Sequence, residues 1–264
     1  MATGKRGARK LLLAALALPL LGYLALCGLM YGQQRDFIYY PQATRLDPIH
    51  TDFELRRPDA TLRGWLLQPG ERDALVYFGG NAEAVEGMRT RLTRWFPDRS
   101  IYLVAYRGYG ASDGSPSEVA LLADALAVFD HARRRHPDGE VTVIGRSLGS
   151  GVASYVAAER PVSKLVLVTP FDSLAAVAAG HYPWLPVDWL MQDRYDSDQH
   201  LPRFKGPVLV IRAGNDRVVP PARTDALIAA LPNPPDVVAV EDASHDTVLS
   251  DPAPGEAIVR FLAR

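Results

Sequence analysis

Val141-Thr142-Val143-Ile144-Gly145-Arg146-Ser147-Leu148-Gly149 begins as a run of β-favouring residues and ends in Gly-x-Ser-x-Gly. Ser150-Gly151-Val152-Ala153-Ser154-Tyr155-Val156-Ala157 continues it with helical character. A strand, a glycine-framed serine and a helix, in that order, form the context of a nucleophile elbow. In so tight a turn the residues two before and two after the serine crowd its backbone. Glycine at 145 and 149 removes the Cβ atoms that would clash, and the serine can take a strained φ/ψ. Its hydroxyl then stands above the sheet, where the N-terminus of the following helix favours developing negative charge.

Working outward from this stretch, strand and helix patterns alternate. Residues 52–57 and 62–68 read as a polar-apolar antiparallel pair, and 74–78 as a short buried strand. A helix is expected at 82–96, closed by Pro97, then a strand at 101–106 and a helix at 118–136. After the elbow come strands at 165–168, 208–211 and 237–240, with helices at 222–231 and 254–263. Repeated β-α units with solidly apolar strands imply a mostly parallel sheet covered by helices on both faces. Ligands of such sheets sit at the carboxyl ends of the strands. Residues 173–205 interrupt the alternation and read as a small helical cap over those ends. Within it, Tyr182, Trp184, Trp189 and Met191 are expected to form an apolar wall for an acyl chain.

The chain has 264 residues, 48% of them hydrophobic and 22% charged, which suits a folded domain with ample core. A net charge of −1 leaves no basic footprint for nucleic acid. Cys27 is the only cysteine, which excludes an internal disulfide and a cysteine-based metal site. No spacing of histidines and carboxylates forms a ligand set, so no metal is expected. Gly79-Gly80-Asn81 is no dinucleotide fingerprint, and no organic cofactor is expected either.

The N-terminus has its own pattern. A basic tail, 1–10, precedes the uncharged stretch 11–31. Signal peptides carry about 7–15 apolar residues, whereas a spanning helix needs about 20. The length predicts an uncleaved single-pass transmembrane anchor at 11–31. Its basic flank would stay cytoplasmic and the domain, 32–264, would lie on the extracytoplasmic (periplasmic) side. A cleaved signal peptide, or lipidation at Cys27 after Leu24-Ala25-Leu26, is the alternative. Phe37, Tyr39 and Tyr40 would meet either the membrane interface or the domain.

A serine hydroxyl needs a base, and the base needs an orienter. After an elbow of this kind the partners follow in the order acid, then histidine, at the ends of later strands. Val208-Leu209-Val210-Ile211-Arg212-Ala213-Gly214-Asn215-Asp216 ends a buried strand in a turn carrying Asp216, and His245 is the only histidine beyond it. Asp172, just past the 165–168 strand, is the alternative acid. Two amides must hold the oxyanion. Leu148 supplies one; Asn81, in the loop Gly79-Gly80-Asn81-Ala82, is expected to supply the other through its backbone N–H.

Together these motifs resemble those of the α/β-hydrolases, and closely those of the Bem46-type serine hydrolases. The likeness rests on the N-terminal apolar segment, Phe37-Ile38-Tyr39-Tyr40-Pro41, Gly79-Gly80-Asn81-Ala82, Tyr106-Arg107-Gly108-Tyr109-Gly110, Gly145–Gly149, Gly214-Asn215-Asp216 and Ser244-His245. It implies an α/β-hydrolase fold and hydrolysis of carboxylic esters or thioesters through an acyl-enzyme. Small-molecule or lipid-like acyl esters would be the substrates, since relatives include protein depalmitoylases. A peptidase is the enzymatic alternative, and an inert scaffold the non-enzymatic one. Gly79 departs from the family's loop, which carries histidine there, and leaves the support of that loop to be found. The Arg107-Gly108-Tyr109-Gly110 stretch reads as structural.

Overall fold

The computed structural model describes residues 2–264, with side chains from residue 15 onward. Helix α1 (Ala2–Ile38) contains the whole apolar stretch and runs past its expected end. The basic side chains of the tail lie outside the described side chains. Leu16, Leu18, Leu20, Leu24 and Leu29 of α1 are exposed. Short 3-10 turns, Pro41–Thr44 and Pro48–His50, lead from α1 into the sheet.

The sheet holds eight strands: β1 (Phe53–Arg56), β2 (Thr61–Leu67), β3 (Asp73–Phe78), β4 (Arg99–Val104), β5 (Val141–Arg146), β6 (Leu165–Val168), β7 (Val208–Ala213) and β8 (Asp236–Val240). Their spatial order is β1-β2-β4-β3-β5-β6-β7-β8, and β2 alone runs against the rest. Alternate residues of a strand face opposite sides of the sheet, yet neighbours such as Leu75 and Val76, or Val166 and Leu167, are all fully buried. Both faces are therefore covered, as parallel strands require. The remaining helices that do the covering are α2 (Arg89–Trp95), α3 (Glu118–Arg135), α4 (Leu148–Glu159), α8 (Pro221–Ala230) and α9 (Pro252–Ala263), with α5 (Leu174–His181), α6 (Val187–Leu190) and α7 (Ser197–His200) between β6 and β7.

One expected element is shorter than its pattern. In place of a helix at 82–96, a 3-10 turn (Val85–Met88) precedes α2. Ala82 adopts φ 56° and the Glu83 carboxylate folds back onto the Gly80 N–H at 2.6 Å, so residues 79–84 form a loop.

The topology selects one crevice. From β3 the chain crosses to β4 on one side, then returns through α3 to β5 on the other side of β3. The strand order thus reverses between β3 and β5, where open α/β sheets bind their ligands. The Gly79-Gly80-Asn81 loop and Ser147 follow the carboxyl ends of these two strands.

Candidate active site

Ser147 sits between β5 and α4 with φ 50° and ψ −119°, a strained conformation for any residue with a side chain. A Cβ on Gly145 would lie 2.3 Å from the Gly149 carbonyl oxygen, and one on Gly149 would lie 2.1 Å from that of Phe78. Both glycines are therefore steric requirements of the turn, which presses α4 onto β3.

The structure brings Ser147, His245 and Asp216 together. His245 Nε2 lies 2.8 Å from Ser147 Oγ, and His245 Nδ1 lies 2.7 Å from Asp216 Oδ2. A carboxylate only accepts, so Nδ1 carries the proton and Nε2 accepts from the serine. Asp216 Oδ1 accepts the N–H groups of Val218 and Val219 at 2.9 and 2.8 Å, which fixes the carboxylate plane. Asp216 and His245 are both buried. Asp172, the alternative acid, faces Arg223 at 3.0 Å instead.

Asn81 and Leu148 line the same cavity as Ser147. Among the described residues, neither backbone N–H donates to a protein acceptor. The Asn81 side chain is engaged elsewhere: Nδ2 donates to the Ile38 carbonyl at 2.5 Å and Oδ1 accepts from the Tyr109 hydroxyl at 2.7 Å. The loop carrying Asn81 is thereby tied to the C-terminal end of α1.

Sequence reasoning missed how that loop is supported. The Glu83 carboxylate accepts from the Gly80 N–H at 2.6 Å and from the Tyr77 hydroxyl at 2.7 Å, and pairs with Arg146 at 3.1 Å. Tyr106 donates to the Gly79 carbonyl at 2.9 Å. Burial raises the pKa of the Tyr77 and Tyr106 hydroxyls far above the ordinary value, with Glu83 adding to the rise at Tyr77, and both remain donors. Arg146, inside Gly-x-Ser-x-Gly, also reaches Asp246 at 3.4 Å, beside His245. A Cβ on Gly79 would lie 2.7 Å from Val85 Cγ1, so Val85 occupies space that a histidine at 79 would need. A carboxylate three residues beyond Gly80 was the available signal. Arg107, as expected, is structural: it pairs with Asp124 at 2.7 Å and Asp59 at 2.8 Å.

A cavity of about 520 Å³ opens at Ser147. Tyr182, Trp184 and Met191 line it. Trp189 does not: it is 89% exposed and lies outside the lining. The single turn of α6 directs Val187 and Leu190 inward, three residues apart on one face, which leaves Trp189 pointing away. Met30 and Phe37 of α1 complete the wall, a contribution no local pattern announced. A second cavity of similar volume, between α2 and α9, contains no member of the Ser-His-Asp constellation. Among the described residues no group of histidine, cysteine and carboxylate side chains could hold a metal ion.

Comparison with known proteins agrees with this architecture. A profile of the family described as "alpha/beta hydrolase fold" matches residues 96–200. The chain is 35% identical to the uncharacterized protein Rv2307c of Mycobacterium tuberculosis, covering 93% of this chain and 95% of that one. It is 32% identical to the lysophosphatidylserine lipase ABHD12 of Xenopus tropicalis over 55% of this chain, a match that spans 43% of that relative. The Pyrococcus furiosus esterase Pf2001 superposes with a TM-score of 0.66 at 19% identity, covering 81% of this chain and 91% of the esterase.

Proposed function

The chain belongs to the α/β-hydrolase superfamily, and from that premise we propose that it is a membrane-anchored serine hydrolase of carboxylic esters or thioesters. The observation that carries this reading is the unbroken line from Ser147 through His245 to Asp216, with spacings of 2.8 and 2.7 Å, at an apolar cavity. On this reading the Ser147 proton passes to His245 Nε2 while Oγ bonds to the acyl carbon. The oxyanion accepts from the Asn81 and Leu148 N–H groups. Collapse breaks the ester or thioester bond, and the leaving alkoxide or thiolate takes the proton from His245. Water, deprotonated by the same nitrogen, then attacks the acyl-enzyme, releasing the acid and restoring Ser147.

The apolar lining supports an acyl chain as the recognised group, and the similarity to a lipase acting on a lysophospholipid supports a lipid-like ester. Helix α1, long and apolar enough to cross a membrane, supports the anchor. In this arrangement residues 1–10 stay on the cytoplasmic side, 11–31 span, and the domain 32–264 with its cap at 173–205 lies beyond. The test is hydrolysis of p-nitrophenyl esters of graded chain length by the full chain in detergent, beside Ser147→Ala and a fluorophosphonate probe. Turnover and labelling that both vanish in the alanine variant are expected. Labelling without ester turnover points to amide substrates, and absence of both retires the reading.

A further inference from the structure

The loop 182–190 is fastened along α1 at two heights. Gln34 Nε2 donates to the Leu190 carbonyl at 3.0 Å and Gln34 Oε1 accepts the Gln192 N–H at 2.7 Å. Far up the helix, the Tyr23 hydroxyl donates to the Trp184 carbonyl at 2.9 Å. Eleven residues of helix separate Tyr23 from Gln34, about 16 Å along its axis. The upper tie lies within the apolar stretch 11–31, about 12 Å above Tyr31.

The chemistry of this loop suits hydrocarbon. Tyr182-Pro183-Trp184-Leu185-Pro186-Val187 carries no charge. Backbone polar groups in a bilayer must be satisfied internally. Here the N–H groups of Tyr182, Leu185 and Val187 donate to backbone carbonyls, Pro183 and Pro186 have none, and Tyr23 satisfies the Trp184 carbonyl; of the backbone donors in 182–187 the Trp184 N–H alone meets no protein acceptor among the described residues. The Tyr23 bond also gives that hydroxyl a partner within the uncharged stretch 11–31. Tyr182 and Trp184 nevertheless leave 48% and 55% of their surface uncovered by protein.

The same loop and α1 are the two walls of the cavity at Ser147. Phe37 and Tyr40 on one side, and Tyr182 and Trp184 on the other, line it while remaining 40–55% exposed, so the cavity opens between them. We propose that loop 182–190 is immersed in the lipid leaflet beside α1, and that the cavity takes its acyl ester sideways from that leaflet. Trp184 then lies in the hydrocarbon and Trp189, beside the charged Asp188, at the headgroup level where tryptophan concentrates. The inference rests on the membrane-anchored hydrolase reading and commits to a lipid occupant because the loop continues the apolar surface of α1.

The test uses the full chain reconstituted in phosphatidylcholine vesicles, with and without bromine on acyl carbons 6 and 7. Brominated lipid should quench a component of the tryptophan fluorescence that disappears in Trp184→Phe, leaving the buried Trp65 and the half-buried Trp95, both outside the loop and α1, unaffected. Incorporation resistant to alkaline carbonate, but with equal quenching in both proteins, overturns the proposal and leaves the loop to a second copy of the chain. Release by carbonate overturns the anchor and this inference with it. A second measurement uses Trp189→Ser, a residue outside the cavity. Turnover of a soluble short-chain p-nitrophenyl ester should stay within about twofold, whereas turnover of an ester presented in vesicles should fall about fivefold or more. Equal effects on both substrates overturn lateral access. If no ester is hydrolysed by any protein, the hydrolase reading fails, and the quenching result still decides where the loop lies.

Discussion

Asp172 and Asp216 follow neighbouring strands, β6 and β7, but Asp216 alone presents an oxygen to His245. Asparagine at 216 would offer the ring an amide and favour the wrong tautomer. Asp216→Asn is expected to lower kcat on the order of 10⁴-fold. Asp172→Asn should remain within a few-fold of the parent, and ester kinetics on the two purified variants distinguish them. Reversal of that pattern would assign the acid to Asp172. Glu83 acts one step further away, by holding the Gly80 amide and the Arg146 guanidinium. Glu83→Gln keeps the side chain's shape and removes its charge. We expect kcat to fall about tenfold or more with little change in KM, since the loop's donors matter most to the developing oxyanion. A change in KM alone would argue that the loop contacts the ground state.

At the scale of elements, the β3–α2 connection shows why the expected helix at 82–96 starts late. The loop's own polar bonds, Glu83 to Gly80 above all, compete with helical pairing for the first residues. The same packing explains Gly79. A larger residue there must displace Val85, whose methyl group would lie 2.7 Å from its Cβ. Gly79→His should therefore destabilise by about 2 kcal/mol through overpacking, lowering Tm by about 5 °C. Combined with Val85→Ala, it should cost less than the two single changes added together, a coupling that a thermal double-mutant cycle reads directly. Strict additivity would mean that the loop relaxes freely.

At the scale of the whole molecule, α1 is joined to the body by polar contacts as well as apolar ones. Arg35 pairs with Asp193 at 3.1 Å, and the Tyr39 hydroxyl donates to the same buried carboxylate at 3.0 Å. Burial pushes the pKa of the Tyr39 hydroxyl far up, with a lesser push from the Asp193 charge, so it stays a donor. Removing residues 1–31 keeps these ties and the Asn81–Ile38 bond. That truncation should keep its fold and hydrolyse short soluble esters while no longer sedimenting with vesicles. Removing 1–40 leaves Asp193 buried without Arg35 or Tyr39, which is strongly destabilising, and frees the Asn81 loop. Loss of the cooperative thermal transition, or of ester turnover, is expected for it. Equal behaviour of the two truncations would reduce α1 to a passive tether.

The sequence by itself determined the α/β architecture, most strand positions, the sharp turn at Ser147 and the short set of candidates around it. Those features depend on local periodicity and on backbone sterics, which a linear pattern carries; both glycines of Gly145-Arg146-Ser147-Leu148-Gly149 meet the close contacts their positions implied. Only the tertiary structure decided which aspartate faces His245, that Glu83 and Arg146 brace the Gly79-Gly80 loop, that α1 walls the cavity, and that Trp189 turns away from it. Each of these is a meeting of groups far apart in the chain, 98 residues for Ser147 and His245 and 161 for Tyr23 and Trp184. Such meetings follow from how the layers stack and which face each short helix turns inward, and no local pattern encodes that.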